Sequence, residues 1–322
     1  MSVSQERLRD ASAETGFRAE ALEKVIRLGE LASDVFSHPF LGPALALKGG
    51  TALNLAFGPP PRLSVDLDFN YVASVDREVM LRDRPEVERA VEQLAQGRKY
   101  RVQRSRHDHA GRKIYLGYRG ADGNPDRIEI DLNFLFRLPL GEVQPTELWQ
   151  PGDMARPRAR VVPVEELAAG KLCALLARAA PRDLYDVIRL PPRLGDVWRS
   201  PGFRRVFVAL AGILDHPLFD YGPGRFERVN DDAVRTQLHP MLTAGDEPGA
   251  DALRVEAWAA VAPLLVLAAG EREYCERLQL GEFRPELLFP DGGDLADRVR
   301  RHPALLWKAH NAREHAAGRQ GP

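Results

Sequence analysis

The sequence is poor in cysteine, in net charge and in long apolar runs, and each shortage excludes a class of protein. Its 322 residues include two cysteines, Cys173 and Cys275, far apart. This excludes a disulfide framework and a cysteine-rich zinc site, and it fits a reducing cytoplasm. The formal net charge is -1. Any contact with nucleic acid therefore requires a local basic patch rather than an overall positive charge.

Membrane-spanning sequence is also lacking. The N-terminal stretch MSVSQERLRDASAETG has no apolar core, so we expect no signal peptide. The most apolar run, Trp258 to Ala269, contains Pro263 and is shorter than the about 20 residues that a bilayer span needs. We interpret this run as part of a buried helix, and we expect a cytoplasmic protein with no membrane contact.

Hydrophobic periodicity predicts a mixed α/β region followed by an almost entirely helical one. Strands are predicted at 62–72, 113–118 and 127–136, the last two forming a hairpin around the turn-rich loop GADGNPD. Helices are predicted at 4–34, 79–96, 163–180, 202–215, 230–242, 250–280 and 293–316. The change of pattern near residue 190 predicts two domains, 1–190 and 191–322.

The stretch KGGTALNLAFGPPPRLSVDLDF, residues 48 to 69, ends with two acids on one face of a predicted strand. Asp66 and Asp68 are two residues apart, so their side chains point the same way. Like charges this close are costly unless a cation neutralises them. Oxygen ligands suit Mg²⁺, or Mn²⁺, together with substrate phosphates. Asp131, on the polar face of another strand, could supply a third carboxylate, as phosphoryl displacement with two metal ions requires.

The same stretch begins with a pair of glycines before a short predicted helix, 51–57. Gly49 and Gly50 allow the backbone to approach a phosphate closely and to adopt positive φ. The helix that follows presents free N–H groups, and Thr51 adds a hydroxyl. The stretch is thus interpreted as a phosphate cradle followed by a metal-binding strand. Ser64 is assigned to the nucleotide site, with the alternative that Arg62 and Ser64 only brace the strand.

A second set of charged residues lies in the predicted helix that starts near Pro163 and just after it. Lys171 and Arg178 are seven residues apart and so share a helix face. Asp183 and Asp186 share a face if their segment is helical. The two cations are placed to meet a triphosphate. The competing interpretations are an ordinary solvated helix face for Lys171 and Arg178, and a structural ion pair between Arg182 and Asp183 at a helix start.

These motifs occur in an order that resembles the AbiEii/AbiGii-type nucleotidyltransferase toxins, which include the mycobacterial MenT toxins, of the DNA polymerase β-like nucleotidyltransferase superfamily. The matching segments are Gly50-Thr51, Arg62-x-Ser64-x-Asp66-Leu67-Asp68, Glu129-Ile130-Asp131, Lys171 to Arg178 and Pro181 to Asp186. The resemblance covers residues 48–186, and the C-terminal third carries no matching motif. It implies an α+β fold, with a polymerase β-like mixed sheet flanked by helices and an α-helical C-terminal domain.

The resemblance also implies an activity, the metal-dependent transfer of a nucleoside monophosphate from an NTP to an acceptor with release of pyrophosphate. The implied acceptor is the tRNA 3′ end, whose extension would block aminoacylation and translation. A cognate antitoxin and a role in phage defence or growth arrest are implied too. In this scheme Asp66 and Asp68 hold metal, and Asp131 completes the site or acts as general base. Lys171 contacts the nucleotide, Asp183 is required for activity, and Gly49, Gly50, Thr51, Ser64, Arg178 and Asp186 belong to the nucleotide site.

Two alternative functions remain at this stage. The same site could transfer a nucleotide or phosphate to a protein hydroxyl, such as one on an antitoxin. Alternatively, the fold could serve as a non-catalytic nucleotide- or RNA-binding module. The complete set of three aspartates argues against the second alternative, because a module without catalysis has no need to keep all of them.

A basic cluster is the last feature of note. It comprises Arg98, Lys99, Arg101, Arg104, Arg106, Arg112, Lys113 and Arg119. The cluster is either a solvated surface or a contact for RNA phosphates, with a tyrosine that stacks on bases. Tyr115 and Tyr118 face opposite sides of a strand, so at most one can stack. The spacing of His107 and His109 suits a metal on a strand, but the further ligands that zinc needs are not apparent.

Overall fold

The computed structural model describes residues 3–106 and 108–318, which leaves His107 of the histidine pair outside the described residues. The described residues form two compact units. The first is built from residues within Met1–Arg137, Glu142–Val162 and His239–Glu247, and the second from residues within Leu138–Gly141, Pro163–Leu238 and Pro248–Pro322. These units divide near residue 163 rather than near 190. The functional division into 1–190 and 191–322 stays a prediction.

The first unit contains a seven-stranded mixed sheet and five helices. The strands are β1 (Leu45–Lys48), β2 (Asp66–Tyr71), β3 (Arg101–Arg104), β4 (Gly111–Arg119), β5 (Pro125–Asn133), β6 (Gln144–Glu147) and β7 (Arg158–Val161). The helices are α1 (Gln5–Thr15), α2 (Ala19–Ser37), α3 (Leu41–Ala44), α4 (Gly49–Leu55) and α5 (Arg77–Gly97). The predicted helices at 4–34 and 79–96 and the predicted hairpin are confirmed.

The strand order in the sheet is β3-β4-β5-β2-β1-β7-β6. Strand β2 runs parallel to β5 and antiparallel to β1, while β4 pairs antiparallel with both β3 and β5. One face of the sheet is apolar, and α2 and α5 cover it. There the ring of Phe36 from α2 contacts that of Phe69, and Arg112 from β4 forms an ion pair with Glu88 of α5. The opposite face carries the acids of β2 and β5.

Strand β2 begins at Asp66, four residues later than its alternating pattern predicts. Leu63 and Val65 are buried, as the pattern indicates. However, the Leu63 N–H donates to the carbonyl of Met241, so this segment does not hydrogen-bond to a neighbouring strand. Periodicity identifies which side chains are buried but cannot identify the hydrogen-bond partner of the backbone.

The second unit is helical. Its helices are α6 (Val164–Arg178), α7 (Pro181–Leu194), α8 (Asp196–Arg199), α9 (Pro201–Ala211), α10 (Asp231–Gln237), α11 (Ala250–Val261), α12 (Ala269–Gln279), α13 (Asp294–Arg300) and α14 (Pro303–Gly318). Short 3₁₀ turns join several of them. The core contains fully buried side chains from α6, α7 and α9, among them Leu175, Leu184 and Phe207.

The predicted continuous helix at 250–280 is wrong. Helix α11 ends at Val261, a 3₁₀ turn follows at Ala262–Leu265, and α12 starts at Ala269. Pro263 explains the break, because it has no N–H for an intrahelical hydrogen bond. The run from Trp258 to Ala269 is also not a buried helix, since Val266 within it is 76% exposed.

None of the described helices alone is long and apolar enough to cross a bilayer. The segments Ala250–Leu265 and Ala269–Gln279 meet the length and composition criteria only when taken together, and a bend of 97° separates them.

Candidate functional site

The stretch from residue 48 to 69 folds as two neighbouring antiparallel strands joined by a helix and a return loop. Lys48, at the end of β1, lies opposite Asp68 of β2. Helix α4 starts directly at Gly49, two residues before the predicted start. Gly49 has φ of +71°, a conformation that glycine adopts at no steric cost. The glycine pair therefore turns the chain within a few ångströms of the acid-bearing strand.

Both glycines are in close contact with side chains of the return loop and β2. A Cβ atom on Gly49 would lie 2.0 Å from Asp68 Oδ2, and one on Gly50 would lie 2.9 Å from Ser64 Oγ. The Arg62 guanidinium also lies against Gly50, and Arg62 and Ser64 are both buried. The absence of side chains at positions 49 and 50 thus leaves the space that the Asp68 carboxylate and the Ser64 hydroxyl occupy.

Thr51 connects helix α4 to strand β2, the candidate metal-binding strand. Its hydroxyl donates to the backbone carbonyl of Asp66, and its side chain is fully buried. This hydrogen bond holds the first turn of α4 against the start of β2. Any phosphate contact at residue 51 would therefore come from the backbone N–H rather than from the hydroxyl.

Four carboxylates lie together on the polar face of β2 and β5. Because these strands are parallel and in register, Asp66 lies beside Glu129 and Asp68 lies beside Asp131. Neighbouring strands are about 4.8 Å apart and alternate residues of one strand about 6.7 Å apart. We call this group the carboxylate block, and it brings together the three aspartates that the sequence indicated as metal ligands.

Two lysines flank the carboxylate block. Lys48 is the cross-strand neighbour of Asp68, and Lys113 of β4 is that of Asp131. Lys113 forms an ion pair with Glu129, and its Nζ lies 4.0 Å from Asp131 Oδ2. Burial raises the pKa of Asp131 above its ordinary value, although the charges of Lys48 and Lys113 act in the opposite direction. A cation at this place would stabilise the charged form of Asp131.

The donor chemistry of the block fits a hard divalent cation, which prefers carboxylate oxygens. Among the residues that the structure describes, however, no group of three or more His, Cys, Asp or Glu side chains converges as a formed metal site. The ion pair of Glu129 with Lys113, and the packing of Asp68 against Gly49, direct two of the carboxylates towards protein neighbours.

The second group of predicted site residues lies in the helical unit, on α6 and α7. The Lys171 ammonium is 2.9 Å from both Asp183 Oδ1 and Asp186 Oδ2. The Arg178 guanidinium donates to both oxygens of Asp183, at 2.7 and 3.0 Å. The shared helix faces predicted for Lys171 with Arg178, and for Asp183 with Asp186, are thus present. Asp183 thus contacts both Lys171 and Arg178 directly.

Burial differs strongly within this group. The side chains of Lys171, Asp183 and Asp186 are 7%, 0% and 1% exposed, whereas that of Arg178 is 65% exposed. Burial alone would raise the pKa of Asp183, but the charges and hydrogen bonds of Lys171 and Arg178 lower it below its ordinary value. Asp183 is therefore an ionised, fully buried carboxylate that positions a lysine.

Sequence reasoning missed the two lysines beside the carboxylate block as site residues. From the sequence, Lys113 is only one member of the basic cluster, and Lys48 is only the residue that precedes the glycine pair. The sequence does indicate Lys48. It stands at the end of a strand, directly before the glycine turn, so it lies at the edge of the sheet where the candidate site begins. Lys113 can be found from the predicted hairpin, because the pairing of β4 with β5 places Lys113 opposite Asp131.

Comparison with known proteins agrees with this architecture. The family described as the nucleotidyl transferase AbiEii toxin of type IV toxin–antitoxin systems matches residues 31–239. The nucleotidyltransferase toxin MenT4 from Mycobacterium tuberculosis has a similar structure, with a TM-score of 0.60 and 23% identity over 92% of this chain and 99% of that chain. No curated protein sequence matches the chain.

The seven-stranded mixed sheet with its helices matches the nucleotidyltransferase fold of the MenT type. The chain belongs to the AbiEii family of nucleotidyltransferase toxins. Membership implies an enzyme that uses an NTP and works within a toxin–antitoxin system, which includes an antitoxin.

Proposed function

We propose that this protein transfers a nucleoside monophosphate from an NTP to RNA, with the 3′ end of tRNA as the acceptor, and thereby blocks translation. The observation that carries the proposal is the pairing of Asp68 with Asp131 across two parallel strands, with Asp66 beside them and the Gly49-Gly50 turn against them. Family membership supports the chemistry and the toxin role. We place the reaction in the cytoplasm, in a context of growth arrest or phage defence.

The three aspartates of the carboxylate block each have a proposed role. Asp66, Asp68 and Asp131 hold Mg²⁺ or Mn²⁺, which when bound would neutralise the triphosphate and the developing charge of an in-line displacement. In the alternative arrangement Asp131 is not a metal ligand but the general base, and its pKa, which burial raises, then suits it to accept the proton of the acceptor hydroxyl. That hydroxyl forms the new bond to the α-phosphorus, and the bond to pyrophosphate breaks. The backbone at Gly49, Gly50 and Thr51, with Ser64 beside it, accommodates phosphate oxygens.

The cluster on α6 and α7 is assigned to the nucleotide. Lys171 supplies a positive charge to the triphosphate, and Asp183 and Asp186 hold its ammonium in place. Arg178, which is largely exposed, adds a planar group suited to phosphate. A lysine that two buried carboxylates hold loses little side-chain entropy on binding substrate, which favours a positioning role for Asp183 and Asp186.

A transfer assay tests the proposal. The purified protein is incubated with total tRNA, Mg²⁺ and each α-labelled NTP in turn, beside the double variant Asp66→Ala/Asp68→Ala. The matched control, Asp122→Ala/Asp153→Ala, removes two exposed acids. Label on tRNA with the wild type and the control, but not with the site variant, is the expected result. Label that appears only on a protein after addition of lysate would move the acceptor to protein. NTP binding without transfer to any acceptor would overturn the enzymatic proposal.

A further inference from the structure

The face of the sheet that carries the carboxylate block continues beyond it to the edge strand β3. On this face Glu129 is followed by Tyr115 of β4 and Gln103 of β3, which lie in one cross-strand row. The next row consists of Arg127, Gly117 and Arg101, from β5, β4 and β3. Arg127 is four residues from Asp131 along β5, which corresponds to about 13 Å. The surface is therefore continuous with the acids.

The part of this face that lies beyond Glu129, towards β3, carries only positive charge on its described strand residues. Glu129 is neutralised by Lys113. Beyond Glu129, the described strand residues on this face are Arg127, Arg101, Arg119, Gly117 and Pro125, and none of them is acidic. Arg101 and Arg127 are exposed, and neither forms an ion pair with a described residue. Such a surface attracts an anion in a protein whose overall charge is close to zero.

Three other arginines of the basic cluster form ion pairs. Arg98 binds Glu30 and Asp34, Arg104 binds Glu92, and Arg112 binds Glu88. These acids belong to α2 and α5, on the opposite face of the sheet. Within the basic cluster, Arg98, Arg104 and Arg112 are thus structural and pair with helices, whereas Arg101 lies exposed on the acid-bearing face beside Arg127 of β5.

An aromatic ring lies between the acids and this arginine pair. The Arg127 guanidinium is 5.1 Å from the centroid of the Tyr115 ring, and Tyr115 is partly exposed. Tyr118 lies on the opposite face, where it packs against Arg27 of α2 and against Tyr100. Aromatic rings combined with arginine are the common means of holding unpaired bases. Of the two tyrosines that the sequence offered, Tyr115 is placed to stack on a base.

Gly117 lies between the two arginines and has no side chain. Gly117 leaves the floor open between Arg127 and Arg101, whose Cα atoms are two strand spacings or about 10 Å apart. A phosphate above Gly117 would come within reach of both long side chains. We infer that Tyr115, Arg127 and Arg101 form a binding surface for a single-stranded RNA end, which guides the acceptor towards the carboxylate block. This inference rests on the proposed function and identifies where the acceptor binds.

Direct RNA binding by the full-length protein tests the surface. The probe is a fluorescein-labelled single-stranded RNA of tRNA acceptor-end sequence, titrated without NTP at several salt concentrations. Arg127→Ala and Arg101→Ala are expected to weaken binding about fivefold to tenfold at low salt. Each should also reduce the slope of log affinity against log salt by about 0.7 to 1, because one phosphate contact is lost. The control, Arg89→Ala, removes an exposed arginine of α5 on the opposite side of the sheet.

The contribution of Tyr115 to RNA binding is tested separately. Tyr115→Leu is expected to weaken binding about tenfold without a change in the salt slope, because stacking is lost and no charge is. Tyr115→Phe should bind RNA as the wild type does, since the ring remains. A purely structural role of Tyr115 would instead lower the thermal unfolding midpoint of Tyr115→Leu and leave its RNA affinity unchanged.

Steady-state transfer kinetics separate this inference from the proposed function. The expected result is a rise of about tenfold in the KM for tRNA of Arg127→Ala, with kcat within about threefold of the wild type. If the wild type labels tRNA while the surface variants keep the KM and salt slope of Arg89→Ala, the surface is wrong and the function stands. If the wild type binds RNA through these residues but labels none, the surface stands and the proposed transfer reaction is wrong.

Discussion

The ammonium of Lys171 lies 2.9 Å from Asp183 Oδ1, inside a unit where both side chains are almost completely buried. A second buried carboxylate, Asp186, takes the same ammonium at the same distance. Lys171 is therefore part of the packing of α6 against α7 as well as a candidate ligand for nucleotide. Loss of activity in a Lys171 variant consequently has two possible origins, and stability must be measured beside it.

Replacement of Lys171 is expected to destabilise the helical unit strongly. Lys171→Met leaves two buried carboxylates without their shared cation, and loss of one partner of a buried ion pair costs about 3 to 5 kcal/mol. Arg178→Met removes a largely exposed partner of Asp183 and is expected to cost about 1 kcal/mol. Urea unfolding followed by tryptophan fluorescence measures both, because Trp198, Trp258 and Trp307 lie in this unit.

If Lys171→Met and Arg178→Met lower the free energy of unfolding equally, Lys171 is not the principal partner of the buried carboxylates. Both variants are then compared in the transfer assay at a temperature where each is folded. Retained folding of Arg178→Met with a raised KM for NTP would indicate that this exposed arginine contacts the nucleotide rather than stabilising the helix pair.

Asp183 also predicts how stability depends on pH. Its pKa in the folded protein is lowered from an ordinary value of 3.8. A depressed carboxyl pKa stabilises the folded state above the unfolded-state value, and this contribution is lost as pH falls towards the folded-state value. The free energy of unfolding of the wild type is thus expected to fall steeply below about pH 4. Asp183→Asn should be less stable at pH 7 and should show a flatter dependence below pH 4.

An exposed aspartate of the same unit provides the control for the pH experiment. Asp232 is 72% exposed and pairs with Arg235 on the surface. Asp232→Asn should follow the wild-type pH dependence closely, because exposed pairs contribute little. Parallel curves for the wild type and Asp183→Asn below pH 4 would show that Asp183 is not the group responsible.

Gly49 is expected to be intolerant of any side chain. A Cβ atom at this position would lie 2.0 Å from Asp68 Oδ2, and the residue has positive φ. Gly49→Ala should therefore displace Asp68 and lower transfer activity by about 100-fold or more, a loss that misplacement of about 1 Å can cause. It should also cost about 1 to 2 kcal/mol from backbone strain. Activity and thermal unfolding are measured together.

Gly58 offers a matched control for Gly49. It also has positive φ, at +88°, but apart from its two chain neighbours no described residue has an atom within 4 Å of its Cβ position. Gly58→Ala should show a similar strain cost with activity near that of the wild type. Comparable activity losses in both variants would indicate that strain in the loop, and not contact with Asp68, is responsible.

Local sequence patterns predicted the polar face of β2 and the β4–β5 hairpin. The features that they did not predict depend on pairing between distant segments of the chain. Alternation placed Asp66 and Asp68 on one polar face, and turn residues predicted the β4–β5 hairpin correctly. The parallel pairing of β2 with β5, which sets Asp131 beside Asp68, joins segments about sixty residues apart and leaves no local signal. The same holds for the acids that neutralise Arg98, Arg104 and Arg112, which come from α2 and α5.

The proposed metal site at the carboxylate block predicts that divalent metal stabilises the folded protein. If Asp66, Asp68 and Asp131 hold Mg²⁺, binding to the folded state alone raises the free energy of unfolding by RT ln(1 + [Mg²⁺]/Kd), about 1.4 kcal/mol at ten times Kd. Thermal unfolding in EDTA and in a Mg²⁺ or Mn²⁺ series should show this increase for the wild type. Asp68→Asn should lose it while its midpoint in EDTA stays equal or rises, because a like charge is removed from the block.

The variant Asp122→Asn serves as the control for metal, because it removes an acid from the exposed β4–β5 loop. It should keep the full metal-dependent shift. A shift of the same size in Asp68→Asn would place the metal elsewhere on the protein. Absence of any shift in the wild type, even with NTP present, would remove the metal from the block and leave the acids with another function. Because thermal unfolding needs no acceptor RNA, the result does not depend on whether tRNA is the substrate.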